Sequence, residues 1–144
     1  MKILIVDDSR AMRMIVRRTL RLAGFRDRDI VEAEDGAHGL AATRTEAPDL
    51  VLCDWNMPNM SGIELLQALR AAGNNIDFGF VTTETSAEMK AAADASGAMF
   101  VITKPFTPES FQSELASMLK LDASRHGRGD LGGSPRLGVD AGCM

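Results

Sequence analysis

The chain has 144 residues, 45% hydrophobic and 25% charged, so it can fold as one domain around a real core without disulfide or metal staples. Its net charge of −4 argues against the basic face of a nucleic-acid binder, and no stretch approaches the ~18 apolar residues of a membrane span. The two cysteines, Cys53 in an apolar run and Cys143 near the end, make no disulfide framework; with an N-terminal apolar run too short for a secretion signal, they point to a reducing, cytoplasmic setting.

Ile3–Val6 is an unbroken aliphatic run, the pattern of a strand covered on both faces. Ser9 is placed to cap a helix with an inner face of Met12, Ile15, Val16, Leu20 and Ala23, ended by Gly24. Ile30–Ala33 reads as a second strand, and 36–46 as a weaker helix, holding Gly39 and stopped before Pro48. Leu50–Cys53 is another aliphatic run. Ser61 and Glu64 then frame a capping box before a helix carrying Leu65, Leu66 and Leu69, ended at Gly73. Residues 78–81 make a fourth strand, and Thr85 with Glu88 repeats the capping pattern before a helix through Ser96, ended by Gly97. Residues 99–102 make a fifth strand, and Thr107-Pro108 opens a helix whose buried face is Phe111, Leu115, Met118 and Leu119. Residues 121–144 hold six glycines and no aromatic residue; they are expected to form a flexible tail after a domain of residues 1–120.

Five strand–helix repeats predict an α/β fold, a parallel sheet with right-handed crossovers, in which ligands bind beyond the carboxyl ends of the strands. Those ends carry Asp7-Asp8, Asp54, Thr82 and Lys104-Pro105. Three adjacent carboxylates do not all stay ionised without a cation, and an all-oxygen donor set suits Mg²⁺ or Mn²⁺. A carboxylate can also attack phosphorus to give an aspartyl phosphate, a reaction that asks the protein mainly for positioning and charge neutralisation. Lys104 can pair with one phosphoryl oxygen and Thr82 can donate to another. Taken singly, these are a loop aspartate, a strand hydroxyl and a surface lysine. In this order and on these strand ends, chance explains them poorly.

Asp7-Asp8, Asp54-Trp55-Asn56-Met57-Pro58, Thr82 and Lys104-Pro105-Phe106 resemble the signature of response-regulator receiver domains, over about residues 1–120, and the run 54–60 is similar to that of single-domain chemotaxis members. The resemblance implies a single doubly wound (βα)5 domain of flavodoxin-like type, with sheet order 2-1-3-4-5. It implies Asp54 as phosphoacceptor, and Asp8, Asp54 and the backbone carbonyl of Asn56 as metal ligands, with Asp7 acting through water. Thr82 and Lys104 would hold the phosphoryl oxygens, and the Lys104–Pro105 bond would be cis. The implied partners are a histidine kinase, a phosphatase, and a downstream protein target docked on the fourth helix, fifth strand and fifth helix. No nucleic acid or membrane is implied, and the protein is expected to be a monomer whose output is docking, since no second domain follows residue 120.

One position departs from the family. Receivers usually carry an aromatic switch residue three positions before the lysine, and here that position is Val101. Phe100, one residue earlier, points to the opposite face of its strand. Coupling is therefore expected to run through Thr82 and the loop Thr83-Glu84-Thr85. Trp55 is expected at the rim, as a reporter. His38 reads as a surface helix residue, and Met12, Met14 and Met89 as packing. Two other functions fit less well. An aspartyl-phosphate phosphohydrolase needs a second aspartate two residues after its nucleophile at the first strand end, where this chain has Ser9 after Asp7. A phosphate-independent docking module would account for Val101 but not for the intact acidic set.

Overall fold

The structure is a computed structural model that describes residues 1–83 and 86–116. The chain divides into two compact units, Met1–Phe111 and Gln112–Met144, and the first holds the sheet and the site. Strands β1 (Ile3–Val6), β2 (Ile30–Ala33), β3 (Leu50–Cys53), β4 (Asp77–Thr82) and β5 (Phe100–Thr103) form one parallel sheet in the order β2-β1-β3-β4-β5. They alternate with helices α1 (Arg10–Leu22), α2 (Gly36–Thr45), α3 (Gly62–Ala71) and α4 (Ala87–Ala95); a last helix, α5, begins at 108 and is described to 116. This is the expected doubly wound architecture. Of the last helix's expected inner face, Met118 and Leu119 lie outside the described residues, as do the tail 121–144, Thr85 and Glu84.

Strands β1 and β3 are each a single run of apolar residues, and both are buried along their whole length. Successive residues face opposite sides of a sheet. One set, Leu4, Val6, Val51, Cys53, Phe78 and Phe80, packs with Leu65, Leu66 and Leu69 of α3 in one cluster. The alternate residues Ile3, Ile5, Leu50 and Leu52 are buried as well. On that second face Gly79 of β4 pairs with Phe100 of β5, whose ring occupies the space a Cβ at 79 would need.

Two expectations for the helices are corrected. Ile15 is 49% exposed and Met14 60% exposed, while Thr19 is buried and donates its hydroxyl to the Ile15 carbonyl at 2.7 Å. At 100° per residue, Ile15 lies about 85° from the centre of the stripe Met12, Val16, Thr19, Leu20, Ala23, so the stripe closes without it. The cap of α4 is Ser86, which accepts from the Met89 N–H at 3.1 Å, rather than Thr85. Glu88 is then one position too early to close a capping box. Ser9 and Ser61 cap as expected, Ser61 with its Glu64 box complete.

Arg70, at the end of α3, ties the α3–β4 and α4–β5 connections together. Its guanidinium donates to the carbonyls of Asn74 at 3.0 Å, Ile76 at 2.9 Å and Gly97 at 3.1 Å. Removing a charged donor from half-buried carbonyls costs about 2 kcal/mol. Arg70→Ala is expected to lower the urea-unfolding free energy by about that much, and a loss under about 0.5 kcal/mol, the level of an ordinary surface change, would mean that water replaces the guanidinium.

Candidate functional site

The ladder runs one residue past each strand end. The Asp7 N–H donates to the Ala33 carbonyl at 3.2 Å, the Asp54 N–H to Val6 at 3.0 Å, and the Lys104 N–H to Thr82 at 2.9 Å. Because Val6 is level with Cys53 and Cys53 with Phe80, the residues that follow emerge side by side at one edge. Register alone thus brings together side chains that are 47 and 50 positions apart in sequence.

Asp7 is 4% exposed, Asp54 half-buried and Asp8 exposed, and one carboxylate oxygen from each lies within 4.8 Å of the others. The Lys104 ammonium sits 3.6 Å from Asp7 Oδ2 and 3.7 Å from Asp54 Oδ1. Asp54 Oδ1 also accepts the Trp55 N–H at 2.8 Å, and Asp7 Oδ1 the Ser9 N–H at 2.9 Å. Thr82 is wholly buried at the end of β4. Asn56 lies two residues past Asp54, exposed in the β3–α3 loop, and the Lys104–Pro105 peptide is cis. Trp55 is half-buried, its ring 4.9 Å from that of Phe80 and tilted by 57°. Val101 is half-buried against the same cluster and level with Phe80, so Phe80, Thr82 and Val101 share a face that Phe100 does not. His38 lies apart on α2, exposed, its Nδ1 2.8 Å from Asp35.

Three carboxylates with an exposed member on the open side fit a hard divalent cation, which takes oxygen ligands and keeps part of its water shell. The electrostatics agree. Burial raises the Asp7 carboxyl above its ordinary range; the Ser9 N–H and the Lys104 ammonium oppose this, while Asp54 and Asp8 add to it. A carboxyl whose folded pKa is raised is stabilising only when protonated, so above its titration range an ionised Asp7 subtracts from stability. Asp7→Asn is therefore expected to raise the unfolding free energy of metal-free protein at neutral pH, by about 1 kcal/mol, as relieving an unfavourable charge commonly does. Urea melts in chelator check this, and a less stable variant contradicts it.

Several contributors were not anticipated from sequence. The Ser9 N–H orients Asp7. Gly62 lets the start of α3 lie against the Asp54 backbone, where its N–H donates to the Trp55 carbonyl at 2.9 Å. Arg13 donates to the Asp7 carbonyl at 2.6 Å. The available signals were a glycine at the first position of a helix and arginines four apart on α1.

Residues 3–116 match the family described as response regulator receiver domain. A chemotaxis protein CheY homologue of Campylobacter jejuni is 38% identical over 125 residues, covering 83% of this chain and 92% of that protein. Among solved structures, chemotaxis protein CheY4 of Vibrio cholerae superposes with a TM-score of 0.72 at 36% identity, over 81% of this chain and 96% of that one. A CheY-like receiver domain protein of Methanospirillum hungatei gives a TM-score of 0.73 at 27% identity, over 86% and 97%. The family match, the sheet order and the acidic edge beside Lys104 agree: this chain belongs to the response-regulator receiver family and is of the CheY type.

Proposed function

We propose that the protein is a Mg²⁺-dependent phosphoacceptor of two-component signalling, which takes a phosphoryl group from a histidine kinase onto Asp54 and signals by docking on a protein partner, in chemotaxis or motility. The observation that carries this reading is the convergence of Asp7, Asp8 and Asp54 within 4.8 Å, with the Lys104 ammonium 3.6 and 3.7 Å from two of them. Asp8, Asp54 and the Asn56 carbonyl, with Asp7 nearby, would hold Mg²⁺ or Mn²⁺, which would supply charge neutralisation for the incoming phosphoryl oxygens. The chain's own groups do the rest. Asp54 is the nucleophile, and its Oδ1 is oriented by the Trp55 N–H. Lys104 shifts from the carboxylates to a phosphoryl oxygen, and Thr82 donates to another. The chain then assists its own chemistry without turning over a separate substrate, and acts in the cytoplasm.

Incubation with acetyl phosphate and Mg²⁺ tests this. Intact mass should rise by one phosphoryl group, labile to hydroxylamine and mapping to the peptide that holds Asp54. No uptake with metal present rejects the proposal.

Transmission runs from Thr82 to α4. Thr82 is buried now, so bonding a phosphoryl oxygen requires it and the loop after it to move. Val101 fills less of the vacated space than a ring would. A shallow groove of about 280 Å³ between α4 and β5, floored by Ala93, Ala98 and Val101 and edged by Lys90 and Asp94, lies on the face proposed for docking. Thr82→Ala should accept phosphate, yet lose most of the change in amide exchange that beryllofluoride induces over 86–106; couplings of this kind are typically ~1–3 kcal/mol. An undiminished shift in α4 would rule out the hydroxyl as transmitter.

A further inference from the structure

An ion ladder runs along α1 and ends at the acidic edge. Arg13, Arg17 and Arg21 recur every four residues and so share one face of the helix. Arg13 Nε donates to Glu32 Oε1 at 2.9 Å and Arg17 Nε to Glu32 Oε2 at 2.8 Å. Arg17 Nη1 reaches Asp27 Oδ1 at 2.8 Å, Arg17 Nη2 the Ile30 carbonyl at 3.1 Å, and Arg21 the same Asp27 oxygen at 3.0 Å. Glu32 is the one charged residue of β2. Burial would raise its carboxyl, but the hydrogen bonds from Arg17 and Arg13 outweigh that and hold it below its usual range.

The ladder ends on the backbone of the site. Arg13 Nη1 donates to the Asp7 carbonyl at 2.6 Å, with Arg13's side chain only 14% exposed. That oxygen belongs to the peptide joining Asp7 to Asp8. A peptide unit is rigid, so holding its oxygen sets ψ of Asp7 and φ of Asp8 together. Both carboxylates leave from the two ends of that one plane. The Asp7 N–H is already fixed to β2 through Ala33, and Glu32, one residue earlier on β2, takes the other arm of the Arg13 fork. A guanidinium can hold a carbonyl and a carboxylate at once in a fixed geometry, whereas an ammonium offers a single point of attachment.

We infer that Arg13 is a positioning residue for the Asp7-Asp8 pair: it touches neither metal nor phosphate, and it fixes the peptide plane from which both carboxylates project, with Glu32 as its anchor. The inference rests on the metal-binding reading of that pair.

The test uses the full chain, with Mg²⁺ followed through Trp55 fluorescence and with amide exchange at Ser9 measured in chelator. Outer contacts that orient metal ligands are commonly worth 10–100-fold in affinity. Arg13→Gln should weaken Mg²⁺ binding about tenfold and speed Ser9 exchange, because the Ser9 N–H is held by an Asp7 side chain that is no longer fixed. Arg13→Lys should recover part of both losses. Arg17→Gln cuts the ladder one step further from the site; it should lower Tm as much as Arg13→Gln while leaving Mg²⁺ affinity unchanged. Equal Mg²⁺ affinities for Arg13→Gln and Arg17→Gln would reduce Arg13 to a stabilising surface contact and overturn the inference. If Arg13→Gln fails to fold, Glu32→Gln, which frees one arm of the fork, should give the same pattern at smaller amplitude, and an unaltered affinity there overturns it too. If the parent protein itself ignores Mg²⁺, the metal reading fails, and Ser9 exchange alone decides: exchange unaltered by Arg13→Gln removes the positioning role.

Discussion

A chain carrying Asp54→Asn is expected to take up no phosphoryl group from acetyl phosphate and Mg²⁺, a loss of at least about 10³-fold in the labelling rate. The reason lies in one oxygen atom. In the Asp54 carboxylate Oδ1 accepts the Trp55 N–H and lies 3.7 Å from the Lys104 ammonium, which leaves Oδ2 as the proposed attacking atom. An amide in the same place keeps nearly the same shape, but its oxygen is a far weaker nucleophile and carries no charge for a cation. The fold should survive, since Asn can still accept the Trp55 N–H. Equal urea midpoints for the parent and the variant in chelator, with labelling lost, would separate chemistry from stability. Label that persists on the variant, or that maps to His38, refutes the assignment of Asp54.

Gly62→Ala is expected to have the largest effect on stability, a loss of about 3 kcal/mol, at the upper end of overpacking costs. A Cβ at 62 would collide with the Asp54 carbonyl oxygen and come within 2.9 Å of the Phe80 ring and 3.1 Å of the Asp54 carbonyl carbon. The ring belongs to a wholly buried residue, and the carbonyl lies between the Asp54 N–H, bonded to Val6 of β1, and the Trp55 carbonyl, bonded to the Gly62 N–H. Neither neighbour can give way cheaply. Relief therefore requires α3 to back away from β3, and that movement shifts the Asp54 peptide, the phosphoacceptor in the proposed function. Urea unfolding should show the loss, and Mg²⁺ titration should show weaker binding in the same variant. A variant within 1 kcal/mol of the parent would show that the α3 start moves freely, a view the 2.9 Å bond from the Gly62 N–H to the Trp55 carbonyl opposes.

The parts of this molecule that could be read from its sequence are those where one dimension suffices. Buried parallel strands are near-continuous aliphatic runs, so Ile3–Val6 and Leu50–Cys53 stood out, and Asp7 and Asp54 follow these two runs directly. The placement of Asp7, Asp8, Asp54, Thr82 and Lys104 at one edge needed only the rule that sites lie at carboxyl ends of strands. What escaped needed the third dimension or a decision between equivalents. Thr85 and Ser86 offer the same capping chemistry one residue apart, and only the helix start at Ala87 decides between them. Ile15 and Thr19 compete for the same flank of α1, where hydrophobicity favours one and angle the other. Gly62 and Arg13 matter for what lies across space from them, the carbonyls of Asp54 and Asp7, and no local pattern names those partners.

The clamp made by Arg70 has a mechanical consequence. Its guanidinium holds the Gly97 carbonyl just past the end of α4 to the Ile76 carbonyl just before β4, so that end of the helix is a fulcrum. A tilt of α4 about Gly97 keeps these bonds, and its arc grows with distance along the axis. From Gly97 to Ser86 the chain advances 11 residues, about 16 Å along the axis, so a tilt of about 10° carries Ser86 through about 3 Å while Gly97 stays in place. The swinging tip is the end nearest Thr82. If Thr82 steps inward as proposed, that step becomes rotation of a stiff arm that carries Lys90 and Asp94 at the α4–β5 groove, and the arm's length, set by one arginine on a different helix, fixes the gain.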